Sequence, residues 1–302
     1  VTAEEPSPSP SLKFVFISTC IAEDFFTPVR RGMHDAAGML GVECHFTGTP
    51  EVDIPAQVRM VDDAILAGVD GIALNIIHPE AFNEVVDKAL NADIPVVAFN
   101  VDAKSTSDGS VNRRLSAVCQ NLYEAGRILG RNALSFMTGG DKILMTVHSK
   151  GISALEDRLR GIQDVISEIH VTWKVITTGI EVQKAAIIVA EELKADSSIR
   201  NVFCTGQADT EGAGLAVQKY YPEMGYHVAG FDLSPNILHL IKDGHIAFTI
   251  DQQPYMQGFY PVIQLTLYCR YGLYPADIDT GAALVTKANV DDIILLANKG
   301  VR

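Results

Sequence analysis

From Leu12 onward, short apolar runs alternate with segments in which apolar residues recur every three or four positions. The first pattern predicts buried strands and the second amphipathic helices. Leu12 to Ser18 predicts a strand. Val29, Met33, Ala36, Ala37 and Leu40 then fall on one face of a helix that Gly41 closes. Val42 to Phe46 predicts a strand, Val58, Val61, Ile65 and Leu66 a helix, and Gly71 to Leu74 a strand. Pro79 to Leu90 predicts a helix and Pro95 to Phe99 a strand, before a polar loop from Asp102 to Arg114. Past the loop, strands are predicted at Leu115 to Val118, Ile143 to Val147, Val171 to Thr177 and Asn201 to Cys204. Helices at Leu122 to Phe136, Leu155 to Ile169, Gln183 to Leu193 and Glu211 to Tyr221 separate and follow them. In the stretch Tyr226 to Pro254, one apolar run ends on Asp232 and another, Ile246 to Ile250, on Asp251, Gln252 and Gln253. Between them Ser234 and Pro235 suit an N-cap and a first helical turn, and Gly244 stops the helix.

Strands alternating with helices of this length make right-handed βαβ units and a mainly parallel sheet, the α/β class. About ten strands suit two sheets of about five better than one wide sheet. The expected break lies near Gln120. An internal echo supports two similar halves: IPVVAFN ends on Asn100 much as HVAGFD ends on Asp232. In open parallel sheets, ligands sit beyond the carboxyl ends of the strands. The candidate chemistry therefore lies in the polar residues that follow each strand, which otherwise serve as ordinary caps and loop residues.

Composition narrows the function. The chain has 302 residues, 47% apolar and 20% charged, enough for one large or two ordinary domains of roughly 100–200 residues. A net charge of −13 with no basic stripe argues against nucleic acid and anionic membrane surfaces. No apolar run approaches the ~20 residues of a membrane span. The five cysteines are far apart, most within apolar runs, and read as buried thiols rather than a disulfide framework. The opening VTAEEPSPSPS reads as a short disordered lead, the remainder after a secretory signal is removed.

Enzyme signatures are missing. No Gly-x-Gly-x-x-Gly follows the first strand, and neither a P-loop nor a Gly-x-Ser-x-Gly elbow occurs. The histidines show no metal spacing, so no cofactor, metal or catalytic residue is expected. His148 is the one histidine at a strand end, a ligand contact or a loop residue. After the first strand come Glu23, Asp24, Phe25 and Phe26. The phenylalanine pair is either a core plug or an apolar wall on which the carbon face of a sugar or polyol stacks. Asn100 and Asp102, the segment Ser149 to Arg158, Thr205, Gln207 and Asp209, and finally Asp232 and Gln252 complete the strand-end set. Aromatics, amides, carboxylates and one arginine together suit a neutral polyhydroxyl ligand, whose hydroxyls both donate and accept.

The order FF, IPVVAFN, GISALEDRLRG, VFCTGQAD, GFD and TIDQQP resembles the ribose-binding protein family of bacterial ABC sugar transporters, the type I periplasmic solute-binding proteins. The resemblance runs from Leu12 to about Leu284 and rests on the collinearity of these motifs. It implies two Rossmann-like lobes joined by a three-crossover hinge: residues 12–120 plus 253–283, and residues 121–252 plus 284–302, with 1–11 as the lead. By this likeness Phe25 and Phe26 pack on the sugar, Arg158 bonds its oxygens, and Asp232 and Gln252 bond hydroxyls near the hinge. The chain departs from the family where an Asp-Arg pair is replaced by Asn100 and Val101, leaving Asp102 as an alternative acceptor. Gly206 also stands at an expected Asn, flanked by Thr205 and Gln207, and either Glu23 or Asp24 faces the cleft. The resemblance implies a periplasmic, monomeric, non-enzymatic protein that binds a monosaccharide or small polyol between its lobes and hands it to the permease subunits of a transporter. A ligand-sensing module for chemotaxis or signalling with the same fold is the alternative. A sugar-responsive repressor would need a helix-turn-helix ahead of the first strand.

Overall fold

The computed structural model describes residues 11–19, 21, 25–103 and 112–302. Residues 1–10 of the expected disordered lead, Glu23, Asp24 and most of the polar loop lie outside the described residues. The chain divides into two compact units. One holds β1 (Lys13–Ser18) with Val29–Val118 and Gln257–Ile278. The other holds Cys119–Met256 and Asp279–Arg302, and residues 25–28 group with it. Apart from the short piece 25–28, the chain passes between units at 118/119, 256/257 and 278/279.

In the first unit, α1 (Phe26–Leu40), β2 (Glu43–Gly48), α2 (Ile54–Leu66), β3 (Gly71–Ile76), α3 (Asn83–Asn91), β4 (Val96–Asp102) and β5 (Ser116–Cys119) follow β1. After α9 (Pro254–Tyr271) the two-residue β11 (Ile278–Asp279) completes a sheet of order β11-β5-β4-β3-β1-β2. Every residue of β3 and β4 is buried, which is why both read as unbroken apolar runs rather than alternating ones. Phe16 and Phe99 meet edge to face at 5.2 Å in this core, and Phe46 lies 6.1 Å from Phe99. Asp53 caps α2 by accepting from the Ala56 N–H, as a short polar side chain at that position should.

The second unit runs α4 (Leu122–Ala133), β6 (Lys142–Val147), α5 (Ser153–Ile166), β7 (Thr172–Thr177), α6 (Val182–Ala195), β8 (Ile199–Cys204), α7 (Gln207–Tyr220), β9 (His227–Phe231), α8 (Pro235–Asp243) and β10 (Phe248–Asp251). Past α9 and β11, β12 (Ala283–Thr286) and α10 (Val290–Ala297) close it. Its sheet order is β12-β10-β9-β8-β6-β7, parallel except where β12 runs antiparallel to β10. Two apolar cores flank the sheet, one around Val189, Val217 and Ile241 and one around Leu129, Ile162 and Phe231. Ser234 caps α8 through the Ile237 N–H, and Gly244 ends it at φ +88°.

Three expectations change. Each sheet has six strands among the described residues, because the short β11 and β12 carry too few residues for periodicity to register. The helix expected from Pro79 starts at Asn83, since His78 Nδ1 accepts from the Glu80 and Ala81 N–H groups and holds a turn there. Of the described cysteines, all free, only Cys204 is buried. Cys44, Cys119 and Cys269 are half-buried. Burial still pushes the Cys44 thiol up to about 12 and Cys269 up to about 11.

Candidate sugar-binding site

Asp232 follows the last residue of β9 in a left-handed backbone conformation, φ +69°. Its N–H donates to Ile250 O at 2.9 Å and its carbonyl accepts from Thr249 Oγ1 at 2.9 Å, so β10 holds the strained residue on both sides. Asparagine and aspartate tolerate this region better than other non-glycine residues, and strain of this kind gathers at functional sites. Asn100 in the first unit is its counterpart at φ +63°. There the β3–β4 register shifts, with Leu74 opposite Ala98 but Ile76 opposite Asp102. The echo between IPVVAFN and HVAGFD is thus also an echo in backbone geometry.

The Asp232 carboxylate is buried and accepts from Gln252 Nε2 at 2.6 Å and from Arg158 Nη1 and Nη2 at 3.3 and 3.4 Å. Arg158 is only 2% exposed. Its guanidinium lies 4.2 Å over the Phe231 ring, donates to Thr205 O at 2.9 Å, and reaches Gln120 Oε1 from Nη2 at 2.9 Å and Nε at 3.3 Å. The placement of Arg158 follows from how closely α5 approaches α4. A Cβ on Gly126 would sit 2.2 Å from Arg158 O, and one on Gly161 would sit 2.2 Å from Tyr123 O. Only glycine at both positions lets the two backbones meet. Arg158, one turn before Gly161, therefore faces inward, while Arg160 pairs with Asp157 at the surface.

Among the other expected residues, Gln207 opens α7 and donates through Nε2 to Leu233 O at 2.9 Å. Gln207, Asp232 and Phe25 line one cavity of about 290 Å³, floored by Leu233, Leu238 and Ile294. Phe26 is buried, 5.1 Å from the Phe25 ring in an edge-to-face pair. Phe26 is thus buried, whereas Phe25 lines the cavity. His148 Nδ1 lies 3.4 Å from Asp209 Oδ1. Its ring fills the place a side chain at 206 would take, since a Cβ there would come within 2.6 Å of it. Asp209 itself is fully buried and accepts from Thr146 Oγ1, Thr205 N and Gly206 N, holding the turn into α7.

In the first unit Asn100 Oδ1 accepts from Asn75 Nδ2 at 2.7 Å, and its Nδ2 donates to Gln257 Oε1 at 3.0 Å. Asp102 accepts from Arg114 Nε at 3.2 Å and Nη2 at 2.7 Å, so a salt-bridging arginine is supplied from 12 residues on rather than from the adjacent position. That bond and a second partner, Asp277, raise the Arg114 pKa against the lowering effect of its burial. Arg158, Asp232 and Gln252 thus form one network, while Asn100 and Asp102 each sit in a separate polar cluster. Sequence reasoning passed over Gln120, Asn75, Gln257 and Arg114. Gln120 carried the same signal as the others, a polar residue directly after a strand.

Residues 14–271 match the periplasmic binding protein domain. The chain is 32% identical over 297 residues to the xylose/arabinose-binding protein XylF of Sulfolobus acidocaldarius, covering 95% of this chain and 74% of the relative. It is 23% identical over 235 residues to the ribose import binding protein of Bacillus subtilis, covering 78% and 74%. A carbohydrate transporter protein of Acidothermus cellulolyticus, solved with myo-inositol, superposes with a TM-score of 0.83 at 28% identity over 97% of this chain and all of that one.

Proposed function

Because the chain belongs to the periplasmic binding protein family, we propose that it is the solute-binding protein of an ABC transporter, taking up a monosaccharide or small polyol for delivery to the permease. The observation that carries this reading is the buried Arg158–Asp232–Gln252 network, built where β9 and β10 end. A guanidinium, a carboxylate and an amide offer donors and acceptors side by side, which is what a ring of hydroxyls needs. The cavity wall of Phe25 and Leu233 beside Asp232 adds an apolar face for ring carbons. The names of the relatives support a pentose as the first candidate, with myo-inositol as the polyol to set beside it.

On this reading Phe25, His148 and Gln207 join the network residues as candidate contacts in the second unit, and Asn100 and Asp102 are candidate contacts in the first. The protein acts as a monomer, without a chemical step, on the outer side of the membrane. Calorimetric titration with D-xylose, L-arabinose, D-ribose and myo-inositol tests this. At a hundredfold excess over Kd, the bound sugar should stabilise the protein by about 2.7 kcal/mol. It should also be recovered unchanged by mass spectrometry. The absence of heat and of thermal stabilisation with all four at millimolar concentration would reject the reading, and conversion of a sugar would reject its non-enzymatic part.

A further inference from the structure

The shortest contacts of the Arg158 guanidinium are with neutral groups, Gln120 Oε1 and Thr205 O, both at 2.9 Å, rather than with Asp232. Gln120 is 2% exposed, and its other amide atom, Nε2, donates to Gly281 O at 2.8 Å. Arginine only donates and a carbonyl only accepts, so the orientation of the amide between them is dictated.

The contact on the far side is a place where the chain passes between units. Thr280 N donates to Cys119 O at 3.0 Å, Asn121 N and Gly281 N both donate to Asp279 Oδ1, and Gln253 Nε2 donates to Thr280 O at 2.6 Å. The segments around 119–121, 253 and 279–281 are thus stitched together, and Gln120 is the stitch that reaches the guanidinium.

We propose that Gln120 is a positioning residue for sugar binding: its amide oxygen aims Arg158 while its amide nitrogen ties that aim to the crossover at Gly281. The sugar part of this assignment rests on the reading above. Glutamate at 120 keeps the acceptor for Arg158 but sets oxygen against Gly281 O, whereas methionine removes both bonds at similar volume.

Two readouts on the sugar-free protein separate these bonds: exchange of the Arg158 Nε–H by NMR, and backbone amide exchange at Thr280 and Gly281. Gln120→Met should speed both about tenfold, the loss of one buried hydrogen bond at each place. Gln120→Glu should speed only the backbone amides. Binding of D-xylose should weaken more in Gln120→Met than in Gln120→Glu. If the Arg158 Nε–H stays as protected in Gln120→Met as in the wild type, or the crossover amides stay protected in Gln120→Glu, the assignment falls. It falls too if both probes speed up only in step with global unfolding by urea, the behaviour of a merely structural residue. Should Gln120→Met fail to fold, the amides in Gln120→Glu still decide. Exchange is read without ligand, so it judges Gln120 even where D-xylose does not bind the wild type.

Discussion

Arg158 and Arg160 lie two residues apart on one helix, yet their side chains are 3% and 56% exposed. Arg160→Ala should change stability by less than about 1 kcal/mol, the range of surface pairs, and leave sugar affinity untouched. Arg158→Ala leaves the Asp232 carboxylate buried with Gln252 alone, so it should cost about 3–5 kcal/mol of stability and abolish binding. Urea unfolding beside calorimetry checks both, and equal effects from the two substitutions would overturn the difference in role. Phe25 and Phe26 give a second contrast. Truncating buried Phe26 to Ala should destabilise by about 3–5 kcal/mol. Phe25→Ala should leave melting of the empty protein almost unchanged and weaken binding by about 1–3 kcal/mol through lost apolar contact. A Phe25→Ala protein that melts as low as Phe26→Ala, with unchanged affinity, would show that neither is a wall. At this scale the residue types at the strand ends were legible, but their partners were not. Asp102 meets Arg114 and His148 fills the space above Gly206.

At the scale of elements, the pairing of α4 with α5 governs the site. The sequence showed both helices by periodicity and carried Gly161 only as the last residue of GISALEDRLRG. The reason for that glycine is a backbone approach that admits no Cβ, since Tyr123 O would lie 2.2 Å away. Gly161→Ala should therefore force the helices apart and destabilise by about 1–3 kcal/mol, despite the higher helix propensity of alanine. Because α5 carries Arg158 and α4 starts just after Gln120, the same substitution should weaken sugar binding. Melting curves with calorimetry test this, and an alanine variant that is more stable, as propensity alone predicts, would refute it. Strand ends behave in the same way. The apolar runs of β4 and β9 were plain, whereas the left-handed turn at Asn100 and Asp232 was visible only as a repeated FN and FD.

For the molecule as a whole, the buried Asp251 links pH to stability. Burial raises its pKa, against the opposing pull of the Gln253 N–H and Arg302. A carboxyl raised in the folded state contributes stability that is fully present below its unfolded pKa and is lost as pH rises through its folded value. Wild type should therefore gain stability relative to Asp251→Asn as pH falls from neutral into the carboxylate range. Urea unfolding at both ends of that window would reveal it, and a pH-independent difference would contradict it. The sequence by itself determined the α/β alternation, most strands and helices and the polar character of the strand ends, because periodicity, caps and apolar runs are local properties. Only the tertiary structure decided that Arg158 meets Asp232, 74 residues away, and Gln120, 38 residues away. It alone set β12 antiparallel to β10 and placed Asp251 beside Arg302. Such pairings depend on sheet order and on how closely two helices approach, and neither is written in the spacing of residues along one segment.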